Sequence, residues 1–507
     1  MTPILALCEA PSEPEERDAP LVQRLVTPFA RWPFRLFVLV ALVPLLTMRW
    51  KMGDIGVVML SGALQTLVAM PLAGLAEGVR RRGQAAAQVS DTGRLAEING
   101  TAVLFAVMTA ILLELGWWTA APTLATMLTL GPGMHSSAVA EFLRNEAMQV
   151  ATLPLLLTAL AMAEAQLTEV RRGTLRGAIV LIEGMTLLAV PGAELPPQAW
   201  PVLCTASHLW MIALLVVILQ QSGRTPLRWR FARAEATALF RSRNSAVVPE
   251  PGLLPAMYCA VAIAAAADRP SAVVVPAATV ALVGAVAAVG WHLAAHLEPL
   301  EVIADLHADA YRARWRFKRS LDAAMLVALG IAVPLAFFGK AAVQSWLGVR
   351  NQSSTAVAAL AVLALVSAPV ALSSQWLRRA NRTQDIAGIR GIEVLVAMPL
   401  VTLCWSYAGW PLAAWALVAS RVATTGWVLP RAVARHLGIT VSSLVLDQAW
   451  RLALVALPST VTAACFVLFK PARNGREWTI QILIVTILFV IPAFAAWSLM
   501  DTRKDDA

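Results

Sequence analysis

A few ionisable side chains stand inside long apolar runs, where lipid or a protein cavity must receive them. Arg421 lies near the middle of the run 411–430, Glu393 in 389–407, Glu183 in 176–192 and His208 in 200–220. A charge at a bilayer centre costs roughly 2.5–3.5 kcal/mol on insertion scales, so such a residue pairs, lines a wet cavity or sits near a helix end. Arg421 is too deep to snorkel easily. Its guanidinium suits an anionic ligand held by charge-assisted hydrogen bonds. An ion pair with Glu393 is the structural alternative, and the two are compatible. Glu183 and Glu393 stand closer to the ends of their runs, where cavity lining, helix pairing and a solvated end all remain open. His208 offers either a protonatable imidazole or an interhelical hydrogen bond.

Other candidates carry weaker chemistry. Arg49, Lys51, Arg144 and Arg269 fall on one face of the chain, as an outer vestibule or as ordinary wet loop residues. Pro154 and Pro369 are candidate hinges, because proline removes a backbone hydrogen bond and crowds the preceding turn. The five cysteines show no zinc-ligand or redox spacing. No Walker-type phosphate loop, HExxH or GxSxG motif occurs. No metal site and no catalytic residue is therefore expected. The longest outer loop, 119–144, is too short for a separate catalytic domain. These points argue for a transporter and against an enzyme.

The elements that position these residues are membrane helices. Of 507 residues, 58% are hydrophobic and 14% charged, against roughly 25% charged in soluble proteins. Apolar runs fall at 33–49, 54–78, 97–118, 145–164, 176–192, 200–220, 252–267, 271–295, 321–339, 355–377, 389–407, 411–430, 448–469 and 479–499. Most are long enough to cross a roughly 30 Å hydrocarbon layer as a helix, and in lipid only a helix or a closed barrel satisfies the backbone. The net charge of +10 comes without a nucleic-acid-binding signature. Retention of basic residues in cytoplasmic loops explains it better.

Starting inside and alternating, one face collects 30 basic residues and the other nine, which predicts both termini in the cytoplasm. The tail 1–32 is acidic near its start, unlike a secretory signal, and reads as a cytoplasmic tail with a short amphipathic helix near Leu21 to Ala30. The stretch 221–250, with Arg224, Arg228, Arg230, Arg233, Arg241 and Arg243, reads as a cytoplasmic strap. A second basic segment, His296 to Ser320, reads as an amphipathic helix lying on the inner leaflet. Tryptophans such as Trp50, Trp200 and Trp410 mark an interfacial belt. The deeper Trp376 and Trp427 are candidates to face a cavity.

The chain repeats itself. Runs one to six and seven to twelve begin at offsets of 219, 217, 224, 210, 213 and 211, the signature of an internal duplication. Six runs per copy make the repeat parallel. Pro154 matches Pro369, and Glu183 matches Glu393.

The run 321–348, ending Trp346-Leu347-Gly348, resembles the ninth-span region of bacterial polysaccharide-export flippases. The stretch 367–400 and Ala419-Ser420-Arg421 resemble their tenth to twelfth spans. These flippases belong to the multidrug/oligosaccharidyl-lipid/polysaccharide exporter superfamily. The resemblance implies an all-α polytopic membrane protein of about fourteen transmembrane helices. Two six-helix lobes would be related by a pseudo-two-fold axis, with two extra C-terminal helices. On that plan 1–32 is the tail, 33–220 the N-lobe, 221–250 the linker, 251–432 the C-lobe and 433–507 the final pair with a short cytoplasmic tail.

It also implies flipping of a lipid-linked oligosaccharide or polysaccharide precursor across the bacterial inner membrane by alternating access. Arg421, Glu393, Glu183 and His208 would line the cavity. The partners would be a polyprenyl-pyrophosphate-linked glycan, membrane lipids and glycan polymerase or export machinery, with no nucleic acid. No cofactor is expected, and coupling to H+ or Na+ stays open. The alternatives are a proton- or sodium-coupled multidrug antiporter of the same fold, a lipid II-type flippase and a membrane-embedded glycan polymerase. The run 33–49 has no acidic residue, which counts against the antiporter.

Overall fold

The computed structural model describes residues 36–128, 136–167, 169–221, 231–242, 255–297, 310–349, 353–380, 383–470, 472 and 475–502. The tail 1–32 and its expected amphipathic helix lie outside them. Every predicted run is a helix. The first six are α1 (Leu36–Arg49), α2 (Met52–Gln88), α3 (Thr92–Met127), α4 (Ser136–Gln166), α5 (Glu169–Gly192) and α6 (Ala199–Gln221). A short helix, α7 (Arg233–Ser242), lies within the basic strap. There follow α8 (Pro255–Asp268), α9 (Pro270–Leu297), α10 (Ala310–Leu347), α11 (Ser354–Arg379), α12 (Thr383–Ala408), α13 (Trp410–Arg421) and α14 (Trp427–Leu437). A π-helical turn, Val422–Gly426, joins α13 to α14, so these two make the twelfth run. The last pair is α15 (Val441–Phe469) and α16 (Gly475–Thr502). Among the described residues, twelve helical segments are long and apolar enough to cross a membrane, and Leu36–Arg49 and Met257–Asp268 are shorter apolar helices. This is an all-helical, multi-pass membrane protein.

Several helices outrun their apolar stretches, α2 and α10 among them. α2 continues to Gln88, and α3 restarts at once behind Asp91, whose Oδ1 accepts the Arg94 N–H at 2.9 Å as an N-cap. α10 already begins at Ala310. The inner-leaflet helix expected within 296–320 is thus, from Ala310 on, the start of α10 itself. The physical reason is local: no glycine or proline interrupts 311–329, so nothing stops a helix begun at Ala310 from running into the span. Arg314 on this extension donates Nε–H to Leu437 O at 2.6 Å. It thereby caps the end of α14, where Gly438 adopts a left-handed φ of 64°. The sequon Asn99-Gly100-Thr101 is buried inside α3, out of reach of glycosylation.

The described residues form two compact units. One holds α1 to α7 with Tyr258–Ala278; the other runs from Thr279 onward. In the first, α4 is the central helix. It buries Leu153 and Leu156 completely and packs against α2, α3 and α6. α8 joins this unit through α2: Tyr258 donates Oη–H to Met59 O at 2.9 Å and Cys259 donates Sγ–H to Ala63 O at 3.0 Å. Gly56 lets α2 touch the backbone of Pro270, because a Cβ there would overlap the Pro270 carbonyl. α7 is fastened to the same unit, with Leu239 fully buried and the Ala232 N–H donated to Thr101 Oγ1 at 3.1 Å. Glu235 of α7 takes both Arg82 of α2 and Arg94 of α3.

In the second unit α11 takes the central place, with Leu360, Leu363 and Val370 fully buried. α11 packs against α10, α13 and α14. The neighbour pairs of the first unit recur here: third with fourth, fourth with sixth and fifth with sixth become ninth with tenth, tenth with twelfth and eleventh with twelfth. One polar link recurs in the same place. Arg176 of α5 makes a two-pronged bond to Glu164 of α4, and Arg390 of α12 donates to Ser374 of α11. α15 and α16 pack on each other and on α10, where the Phe489 ring sits over Gly330.

Candidate functional sites within each unit

The turn between α12 and α13 sets up the first site. Gly409 holds φ at 66°, which suits glycine, and Pro411 starts the next helix. The two helices therefore run antiparallel. Glu393 lies about 24 Å before the turn and Arg421 about 18 Å after it, at 1.5 Å per residue. The difference is one helical turn, which a long arginine side chain spans. Arg421 Nη1–H donates to Glu393 Oε1 at 2.6 Å, and both side chains are buried, at 2% and 5% exposure. Arg390, one turn before Glu393 on α12, approaches the other carboxylate oxygen at 3.7 Å. It also donates Nη2–H to Ser374 Oγ at 3.3 Å.

Two guanidinium groups thus approach one carboxylate. Arg421 Nε and Nη2 have no hydrogen-bond acceptor. The π-helical turn begins directly after Arg421, and Gly426 is required there because a Cβ would press on Arg421 O. Such π-helical turns often mark functional sites. The sequence paired Arg421 with Glu393 correctly but missed Arg390, which lies at the edge of its predicted run. In the structure Arg421 faces a neighbouring helix, and neither solvent nor the outside of the unit.

The second site is a buried polar cluster in the first unit, built from α2, α4 and α6. Gln65 of α2 donates Nε2–H to Glu146 Oε1 at 3.1 Å and to Ser61 Oγ at 3.4 Å. Gln149 donates Nε2–H to Gln65 Oε1 at 3.2 Å. His208 of α6 meets Thr152 of α4 through Nδ1 and Oγ1 at 2.7 Å, the interhelical bond the sequence offered as one of its two fates. Thr152 itself donates to Gln149 O at 2.7 Å. Glu183 of α5 is also buried. The structure therefore brings His208 together with Glu146, Gln65 and Gln149, which the sequence reading passed over, and buries Glu183 on α5. A signal was present: Ser61 and Gln65, and Glu146, Gln149 and Thr152, each recur at one helix face.

The remaining candidates do not gather. Arg49 pairs with Glu194 at 2.5 Å, both well exposed. Arg144 lies over the Trp118 ring at 5.3 Å. Lys51 and Arg269 are exposed. Pro154 and Pro369 sit inside the unbroken helices α4 and α11. Of the deeper tryptophans, Trp376 is buried and stacks on His436, whereas Trp427 is exposed on its unit. Among the described residues no group of His, Cys, Asp and Glu could hold a metal ion.

No family model matches the chain, and no curated protein aligns with it. Solved structures share its fold. It superposes on the lipid II flippase MurJ in an inward closed conformation with a TM-score of 0.63 and 11% identity, covering 95% of this chain and 99% of that one. An inward-facing multidrug resistance MATE family transporter of the MOP superfamily gives 0.60 and 9% identity, over 83% of this chain and 98% of that one. A MATE structure in the bent conformation gives 0.52 and 11% identity, over 89% and 99%. At these identities the likeness shows a shared fold.

Proposed function

We propose that this chain is a transporter that flips a lipid-linked oligosaccharide or polysaccharide precursor across the bacterial cytoplasmic membrane, with both termini inside. The observation that carries the reading is the guanidinium of Arg421, buried at 2% exposure, with two of its nitrogens unaccepted among the described residues. A pyrophosphate-sugar headgroup cannot enter hydrocarbon unaided, because its polar groups would lose their hydrogen bonds. A guanidinium fork is the side chain best shaped to receive its phosphate oxygens. In the present conformation Arg421 is shut away on Glu393, so access requires it to swing from that carboxylate or α12 and α13 to part. Alternating access supplies such a change, and fold relatives described as transporters and as a flippase support that mechanism. The polyprenyl tail would remain in lipid.

A second reading, a lipid II-type flippase, is favoured by one observation: the MurJ likeness spans 95% of this chain. The multidrug antiporter is disfavoured because α1 contains no acidic residue. Depletion of the protein in its host separates the readings. The proposal expects a lipid-linked glycan to accumulate on the inner leaflet and Arg421→Ala to fail in clearing it while still inserting. Lipid II accumulation supports the second reading. Unchanged lipid-linked pools with raised drug sensitivity would overturn both.

A further inference from the structure

Glu146 has no part in the anion chemistry of Arg421, yet it is the most deeply buried carboxylate of the first unit, at 1% exposure. Its Oε1 accepts from Gln65, while its Oε2 has no hydrogen-bond partner. Among the described residues no cationic side chain pairs with it. Among the described residues, the elements packed on α4 bring no cationic side chain to Glu146. The buried residues of α2 and α3 include no ionisable group. α6 brings His208, which is held through Thr152, and the buried Cys204. An ionised carboxylate so placed would be an uncompensated buried charge. Three residues along the same face of α4, Gln149 Oε1 is a buried acceptor without a donor. Among the described residues the Glu146 Oε2 and Gln149 Oε1 acceptors are left without donors and no cationic side chain pairs with the carboxylate; a proton on Oε2 supplies a donor and the charge.

We propose that Glu146 is a proton-binding site, taking up a proton on Oε2 to become a neutral carboxyl and releasing it when the surrounding helices open. Gln65 is its positioning residue: its amide donates to Glu146 and accepts from Gln149, so it holds both α4 side chains in register. The inference names the ion that a transporter of this kind would use and rests on the transport reading only for that purpose; the binding site stands on the geometry of the first unit alone. Intramembrane acidic residues without a cationic partner commonly serve as proton relays.

The test is infrared difference spectroscopy on the full-length purified protein in lipid nanodiscs, titrated with pH and with sodium chloride against potassium chloride. The expected result is a carbonyl stretch of a neutral carboxylic acid that appears as pH falls and is absent from Glu146→Gln. Glu146→Asp should keep the band at a shifted frequency, and Gln65→Leu should shift its titration. Sodium at constant pH should leave it in place. The proposal is overturned if Glu146→Gln retains the band, if the band never titrates, or if sodium abolishes it, the last marking a metal-cation site. If Glu146→Gln does not fold, the Glu146→Asp shift and the sodium arm decide. None of these readouts involves glycan, so failure here and failure of the flippase reading are told apart.

Discussion

Replacing Glu393 by glutamine changes charge while nearly preserving shape, and it probes the Arg421 site most sharply. The glutamine Oε1 can still accept from Arg421, but the two guanidinium groups lose their shared counter-charge. Arg421 is 2% exposed and Arg390 11%, so solvent cannot replace the carboxylate. At an effective dielectric constant of about 20, a unit pair at about 4 Å is worth about 4 kcal/mol. Arg390 approaches less closely, so its share is smaller. Relief of the carboxylate's own desolvation offsets part of this. The net expectation is a loss of about 3–5 kcal/mol, the usual cost of stranding a buried charge. Urea or thermal unfolding in detergent, followed by tryptophan fluorescence, measures it. The double variant Glu393→Gln with Arg421→Met should lose less than the sum of the singles, because the more deeply buried of the two cations is removed with its partner. A Glu393→Gln loss under about 0.5 kcal/mol, or strict additivity in the cycle, would refute the reasoning.

Other expectations follow from the same structure. Arg421→Lys should transport nearly as poorly as Arg421→Ala, because a point charge cannot reproduce the guanidinium fork; full activity of the lysine variant in a complementation assay would contradict this. Thr152→Val strands His208 Nδ1 and should cost about 1–3 kcal/mol of unfolding free energy. Gly56→Ala drives a Cβ into the Pro270 carbonyl and should cost about 1–3 kcal/mol, read as a lowered thermal midpoint. Glu235→Ala releases Arg82 and Arg94 together; α7 should then exchange its amides faster in hydrogen-exchange mass spectrometry while α4 stays protected.

The helices were legible because membrane spans announce themselves by composition: fourteen apolar runs became helices with ends displaced by a few residues in most cases. The duplication was legible for the same reason, and the recurring neighbour pairs follow it. Reading by apolarity hides polar residues near run edges. Glu146 opened the predicted run 145–164, yet α4 begins at Ser136, so Glu146 is well inside the helix and buried. Arg390 was masked in the same way at the edge of 389–407. Apolarity also could not tell a surface-lying basic helix from the start of α10, since both share one periodicity. The ion pair of Arg421 with Glu393 was open from sequence as the structural alternative, because the two stand on adjacent runs and Arg421 is too deep to snorkel. The third member, Arg390, was present in the spacing, three residues before Glu393 on one helix face, but lay at the edge of the run and was passed over.

Direct reconstitution tests the central claim. The purified chain is placed in vesicles loaded with a polyprenyl-pyrophosphate glycan in one leaflet, and the fraction that becomes accessible to a membrane-impermeant glycosidase is followed over time. The account predicts rapid exposure with the parent chain and exposure no faster than protein-free vesicles with Arg421→Ala. Equal rates for the parent, the variant and empty vesicles would contradict it.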